Sequence, residues 1–136
     1  MHLMPRVKDY MTRQPYSIDE QTSIAEADRT MRKYNIRHLP VVVNNKVVGI
    51  LSDRDVKSVG SIKASPETLQ VKFILHEQPY TVDPNTTLDE VAKQMAMHHY
   101  GSAIIVDNDQ LVGIFTTVDA CRALSTVLEN YYLDSE

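Results

Sequence analysis

Apolar positions along this chain fall into short blocks whose period alternates, and the set of blocks comes round twice. Ile24, Ala27, Met31 and Tyr34 keep helical spacing and share one face of a helix that runs to about Tyr34. Ser23 stands before it with Glu26 three residues on. That is capping-box spacing, in which the serine oxygen takes the N3 amide and the glutamate reaches back. Leu39-Pro40-Val41-Val42-Val43 is nearly continuous and predicts a buried strand. Asn44-Asn45 predicts a turn tolerant of positive φ, residues 46–51 return as the second hairpin strand, and Ser52 opens another helix. Upstream, residues 5–11 read as a lead-in helix with Val7, Tyr10 and Met11 inward, and residues 15–18 as a brief extended segment after a proline.

Sixty-four residues later each step is repeated. Residues 71–75 are the lead-in, Tyr80-Thr81-Val82 the extended piece and Thr87-Leu88-Asp89-Glu90 the capping box. Leu88, Val91, Ala92, Met95 and Ala96 form the helix face, and hairpin strands at 103–106 and 111–115 flank Asp107-Asn108-Asp109. The register holds without a gap from about Val7 to about Ala120, with Gln14-Pro15-Tyr16 on Gln78-Pro79-Tyr80, Met31 on Met95 and Asn44 on Asn108. A repeat of this length decides the architecture. The boundaries it implies are 7–58 and 71–125 for the two repeats, with 59–70 as linker and 126–136 as a helical tail. Leu124, Val127, Leu128 and Tyr131 keep helical spacing near the end, so that helix is expected to pack on its own domain or on a second chain. A 60-residue unit buries about 60% of its unfolded surface against about 70% near 150 residues, so two such units are expected to stabilise each other.

Composition narrows the class. The chain has 136 residues, 43% of them hydrophobic. No apolar run approaches the ~20 residues of a membrane span, and the start lacks the apolar core of a signal peptide. A single cysteine, Cys121, excludes an internal disulfide and fits a reducing cytoplasm; on a predicted helix its expected role is packing. Net charge is −4, but residues 1–64 carry 11 Lys+Arg against 7 Asp+Glu, and residues 65–136 carry 3 against 11. An anion is therefore welcome at the first repeat and not at the second, unless surface charge has simply drifted. An acidic total without a long basic run argues against nucleic acid as partner. His98 and His99 are adjacent on a predicted helix and diverge by about 100°, so no metal is assigned; His2, His38 and His76 add no ligand spacing. Four glycines form no phosphate loop, and no catalytic set assembles, so neither an enzyme nor a catalytic cofactor is expected.

The repeated chemistry is concentrated in Val47-Val48-Gly49-Ile50-Leu51-Ser52-Asp53-Arg54-Asp55 and its copy Leu111-Val112-Gly113-Ile114-Phe115-Thr116-Thr117-Val118-Asp119. A β-α-β-β-α unit of this size, given twice and closing each time on Gly-Ile-x-Ser/Thr-x-x-Asp, resembles the CBS domain family over nearly the whole chain. Val7-Lys8-Asp9-Tyr10-Met11-Thr12 is similar to the lead-in of stand-alone bacterial and archaeal CBS pairs. The resemblance implies an α/β (α+β) fold in which the tandem repeats pack through their sheets as a pseudo-two-fold module, often as a homodimer. It also implies a regulatory module that senses an adenosine-containing ligand (AMP, ADP, ATP or S-adenosylmethionine) in the cleft between repeats.

Spacing supports a nucleotide at that motif. Ser52 or Thr116, at a helix start beside unpaired amides, can donate to phosphate. Asp55 or Asp119, one turn later, can accept from both ribose hydroxyls. Ser-x-x-Asp is equally a helix cap with an acidic first turn. Arg37-His38 precedes the first buried strand, where the family often places residues facing phosphate; the second repeat has Gly101-Ser102 there, and Val118 in place of Arg54. The phosphate ligands expected are thus Arg37, His38, Ser52 and Arg54, with Asp55 on the ribose. The second cleft, at Thr116 and Asp119, is expected to be empty, weaker or suited to a less charged ligand. Arg37 also fits a solvated helix end, and His38 a satisfied, partly buried histidine. Ser17, Ile18, Thr81 and Val82 match the family segment that meets adenine or ribose. Val41 and Ile105 suit either a wall for the base or the core. The alternative function is a ligand-free interaction or dimerisation module. With no output domain attached, the regulated partner would be another protein.

Overall fold

The computed structural model describes residues 3–59 and 65–133. One 3-10 turn, Val7–Asp9, leads to β1 (Thr12–Arg13) and β2 (Ile18–Asp19), followed by α1 (Ile24–Tyr34), β3 (His38–Val43), β4 (Lys46–Ser52) and α2 (Asp53–Ser58). A second 3-10 turn, Val71–Phe73, opens the copy: β5 (Thr81–Val82), α3 (Leu88–His98), β6 (Ser102–Asp107), β7 (Gln110–Thr116) and α4 (Thr117–Leu133). Both lead-ins are therefore single 3-10 turns rather than longer helices. Part of the expected linker, His2 and the last three residues of the tail lie outside the described residues.

Strands assemble into a four-stranded sheet, β1-β7-β6-β5, and a three-stranded sheet, β2-β3-β4. The compact units exchange their lead-ins. One unit joins the chain up to Gln14 to Tyr80–Asp107 and the chain from Val112; the other is Pro15–Pro79 with Asn108–Leu111. Hydrogen bonding shows why. In the first unit Val7 N donates to Thr86 O (2.8 Å) and Leu88 N to Pro5 O (2.9 Å), while Thr12 pairs with Ile114. In the second, Val71 N donates to Thr22 O (2.8 Å) and Ile24 N to Leu69 O (2.9 Å), while Ile50 and His76 exchange bonds of 3.0 and 2.9 Å. The 64-residue register maps each contact of one set onto the other. Each lead-in thus satisfies amides at the start of a helix that belongs to the other repeat.

Each unit has its own core. Ile24, Ala27, Met31, Leu39, Val41, Leu51 and Val71 cluster in one; Val7, Val91, Met95, Ala103, Ile105 and Phe115 in the other, with Tyr10 and Met11 packed against it. The Val, Leu, Ile, Met and Phe side chains among them contribute roughly 1.5–3 kcal/mol each when fully buried. Gly49 and Gly113 sit where the lead-ins pass closest: a Cβ at Gly49 would meet Leu75 Cδ1 and the His76 carbonyl oxygen at 2.7 Å, and one at Gly113 would meet the Met11 thioether.

Several local expectations are corrected. Ser23 Oγ accepts from Glu26 N (3.1 Å), but the Glu26 carboxylate pairs with Arg29 instead of reaching back, so only half the box forms. Thr87 makes no side-chain cap bond; its hydroxyl binds Asp89, whose carboxyl is held below its ordinary value chiefly by that bond. Tyr34 leaves the core face to stack on Tyr16 at 3.8 Å between ring centroids. Ala92 and Ala96 are exposed, because α3 buries only the Val91–Met95 stripe. Cys121 is exposed rather than packed. His98 ends α3 and His99 is its left-handed C-cap at φ 58°, not a helical residue. The hairpin turns at Asn44-Asn45 (φ 53° and 63°) and Asn108-Asp109 (51° and 63°) have the expected left-handed backbone.

Candidate functional site

In the first repeat β3 and β4 run antiparallel with His38 opposite Ser52, which carries the basic Arg37-His38 pair to the end of β4 where α2 begins. Asp53 N donates to Arg37 O (2.8 Å) and fixes that junction. Ser52 is the N-cap of α2 and closes a full capping box: Asp55 N donates to Ser52 Oγ (3.1 Å) and Ser52 N to Asp55 Oδ2 (2.9 Å). Ser52 Oγ serves here as acceptor only, and Asp55 Oδ1 accepts from no donor among the described residues. A hydroxyl proton and a carboxylate oxygen remain for a ligand.

Arg37 and Arg54 are exposed, and His38 is half-buried. Burial, reinforced by the charge of Arg37, holds the His38 imidazole below its ordinary value of 6.5, against the opposing pull of Asp55 and Asp53. Asp53, buried at the first position of α2, is gripped by Lys57 Nζ (3.0 Å) and Arg32 NH2 (2.6 Å), and these bonds hold its carboxyl below the ordinary range. Arg32 and Lys57 are thus committed to Asp53.

The second repeat spends the same groups internally. Thr116 N and Oγ1 both donate to Asp119 Oδ2 (2.9 and 3.1 Å). Asp119 Oδ1 accepts from Thr12 Oγ1 (2.9 Å) and Arg122 NH1 (3.2 Å). Asp119 is 3% exposed. Ser52 is thus joined to Asp55 and Thr116 to Asp119, but among the described residues only the first pair keeps free valences, and the side chains of Arg37 and Arg54 make no bond to it.

Other expected residues divide by burial. Ser17 and Thr81 are exposed and Val82 is half-buried. Ile18 is 9% exposed and pairs with Val41 across β2 and β3; Val41 and Ile105 are fully buried in the two cores. Thr12, Arg122 and Asp53 were missed from sequence. The repeat gives no signal for Thr12 or Arg122, which stand opposite His76 and Ser58 at a spacing of 64 and lie outside the repeated motif. An open depression of about 350 Å³ lined by Glu20, Val48, Lys72, Leu75 and Glu77 touches the motif only at Val48 on its strand and includes none of Arg37, His38, Ser52, Arg54 or Asp55. No group of three or more His, Cys, Asp or Glu suited to a metal occurs among the described residues.

A β-α-β-β-α unit given twice, each closing on a capped helix with a Ser/Thr-x-x-Asp turn, defines a tandem α/β repeat. The CBS domain family model matches residues 7–61 and 71–126, and the chain belongs to that family. It is 30% identical to the CBS domain-containing protein YhcV of Bacillus subtilis over 85% of this chain and 83% of that protein. It is 34% identical to an inosine-5'-monophosphate dehydrogenase of Korarchaeum cryptofilum over 84% of this chain, but spans only 23% of that enzyme's length. Among solved structures, a Vibrio cholerae protein named for acetoin utilization (AcuB) superposes with a TM-score of 0.88 at 32% identity, covering 95% of this chain and 96% of that one. The CBS domain pair of protein MJ0100, crystallised with 5'-methylthioadenosine and S-adenosyl-L-methionine, superposes with a TM-score of 0.83 at 27% identity, covering 91% and 98%. No helix among the described residues is long and apolar enough to cross a membrane.

Proposed function

We propose that this chain is a regulatory module that senses an adenosine-containing ligand at the Ser52–Asp55 motif of the first repeat, with AMP, ADP or ATP favoured over S-adenosylmethionine. The observation that carries this reading is the free valence of Ser52 and Asp55 against the saturation of Thr116 and Asp119. Asp55 Oδ1 accepts from the ribose diol, and the Ser52 hydroxyl donates to phosphate. Arg37 and Arg54 supply charge without first breaking an ion pair. A phosphate near His38 favours the imidazolium, reversing what burial does to it. Ser17 and Thr81 are the exposed members of the adenine-side set. The binding of 5'-methylthioadenosine and S-adenosyl-L-methionine by MJ0100 supports the adenosyl half of the ligand; the basic trio supports the phosphate half.

Protein contacts form the second reading. Leu124, Val127, Leu128 and Tyr131 are 40–67% exposed along α4, a stripe suited to a second copy or to the regulated protein. Fluorescence or calorimetric titration with AMP, ADP, ATP and S-adenosylmethionine, beside the double variant Ser52→Ala/Asp55→Ala, separates the two. Sensing requires micromolar affinity that the double variant loses; no affinity for any of the four leaves the contact module.

A further inference from the structure

We propose that Thr12 and Arg122 form a built-in plug on the second repeat's ribose-type carboxylate, so that the chain offers one adenosine site although its motif is written twice. This deepens the reading above, since it explains which copy is open. Asp119 Oδ1 accepts from Thr12 Oγ1 at 2.9 Å and Arg122 NH1 at 3.2 Å, a hydroxyl and a guanidinium N–H on the oxygen that in the first copy is unclaimed. The other oxygen is taken twice by Thr116, whose hydroxyl proton is consumed there. A buried carboxylate whose lone pairs are filled gains nothing by exchanging these donors for ribose hydroxyls.

At the Oδ1 oxygen the difference between copies reduces to two positions. On the 64-residue register Thr12 corresponds to His76 and Arg122 to Ser58. His76 is exposed, and Ser58 Oγ donates to the Asp55 main-chain oxygen (2.6 Å), not to its carboxylate. Thr12 belongs to β1, which pairs with β7 at Ile114, so its hydroxyl reaches Asp119 only because the lead-in is docked. Arg122 is held less firmly: its side chain is 69% exposed. The plug therefore also latches the lead-in to the start of α4.

Adding Thr12→Ala and Arg122→Ser to Asp55→Ala tests this with 5'-methylthioadenosine and AMP as probes. The second repeat lacks counterparts of Arg37, His38 and Arg54, so the opened site is expected to prefer the uncharged ligand. Asp55→Ala alone is expected to bind neither probe; the triple variant regains one site per chain for 5'-methylthioadenosine, abolished by further Asp119→Ala. A triple variant that melts within a few degrees of Asp55→Ala yet binds nothing overturns the plug. A wild-type chain that binds no adenosine ligand sinks the proposed function instead, and the latch then rests on ligand-free melting. There Asp119→Asn is expected to lower Tm by at least 5 °C more than Asp55→Asn, about 1 kcal/mol or more on a chain of this size. Equal shifts overturn the latch.

Discussion

Gly49→Ala and Gly113→Ala are one substitution made at two equivalent places, and the structure predicts unequal costs. Neither glycine has positive φ, so conformational strain is absent and the penalty is spatial. At Gly49 the new methyl group collides with the His76 carbonyl oxygen at 2.7 Å as well as with Leu75. That oxygen is the acceptor of Ile50 N (3.0 Å), in a pair whose other bond, His76 N to Ile50 O, is 2.9 Å. Relieving the clash requires the lead-in backbone to withdraw, which weakens both bonds. Two backbone bonds at about 1 kcal/mol each, with overpacking of about 1–3 kcal/mol, outweigh the ~0.4–1 kcal/mol gained by restricting the unfolded chain. The expected loss is roughly 2–4 kcal/mol. At Gly113 the obstacle is the Met11 side chain, with Cγ and Cε at 3.1 and 3.2 Å, and an unbranched thioether can rotate away. The loss there is about 1 kcal/mol or less. Urea unfolding followed by far-ultraviolet dichroism measures both. Equal losses, or a larger loss at Gly113, would refute the claim that lead-in backbone docks against Gly49.

Three further outcomes follow from local geometry. Ser23→Ala should destabilise by about 1 kcal/mol through its lost cap, and Thr87→Ala by less, because Thr87 makes no cap bond; chemical denaturation of the pair decides it. His38 has a folded-state value below its unfolded one, so the unfolded chain binds the extra proton first and stability rises with pH through that window. In the absence of ligand, His38→Gln should therefore reduce the stability lost between pH 7.5 and pH 5.5, and an unchanged loss would contradict the burial assigned to His38. Cys121 should react with a maleimide in native buffer as fast as in urea, since its side chain is exposed on α4; protection in the native protein would instead point to a covered α4.

The doubling of the hydrophobic pattern made the fold legible. Strand blocks at 39–43 and 103–106 and helix faces set by Met31 and Met95 are consequences of periodicity, which one chain displays in full. Which repeat each lead-in joins was not legible, because Val7 and Val71 are equally apolar and either copy offers them a matching helix start. Cap chemistry was only half legible: Ser23 and Thr87 have the right spacing, but Glu26 found Arg29 and Thr87 found Asp89, competitions that spacing does not rank. For the proposed site, the Ser52–Asp55 capping pair could be read from the motif, while Arg37, His38 and Arg54 enter through the contrast with Gly101, Ser102 and Val118 and rest on that proposal. The filling of Asp119 could not, since Thr12 lies 107 residues away and meets it only through strand pairing.

The central claim is that the first repeat alone holds the ligand, and calorimetric titration of Asp55→Ala and Asp119→Ala with AMP tests it most directly. The account predicts one site per chain in the unaltered protein, abolished by Asp55→Ala and kept at comparable affinity in an Asp119→Ala chain that remains folded. Binding that survives Asp55→Ala and disappears with Asp119→Ala would contradict it.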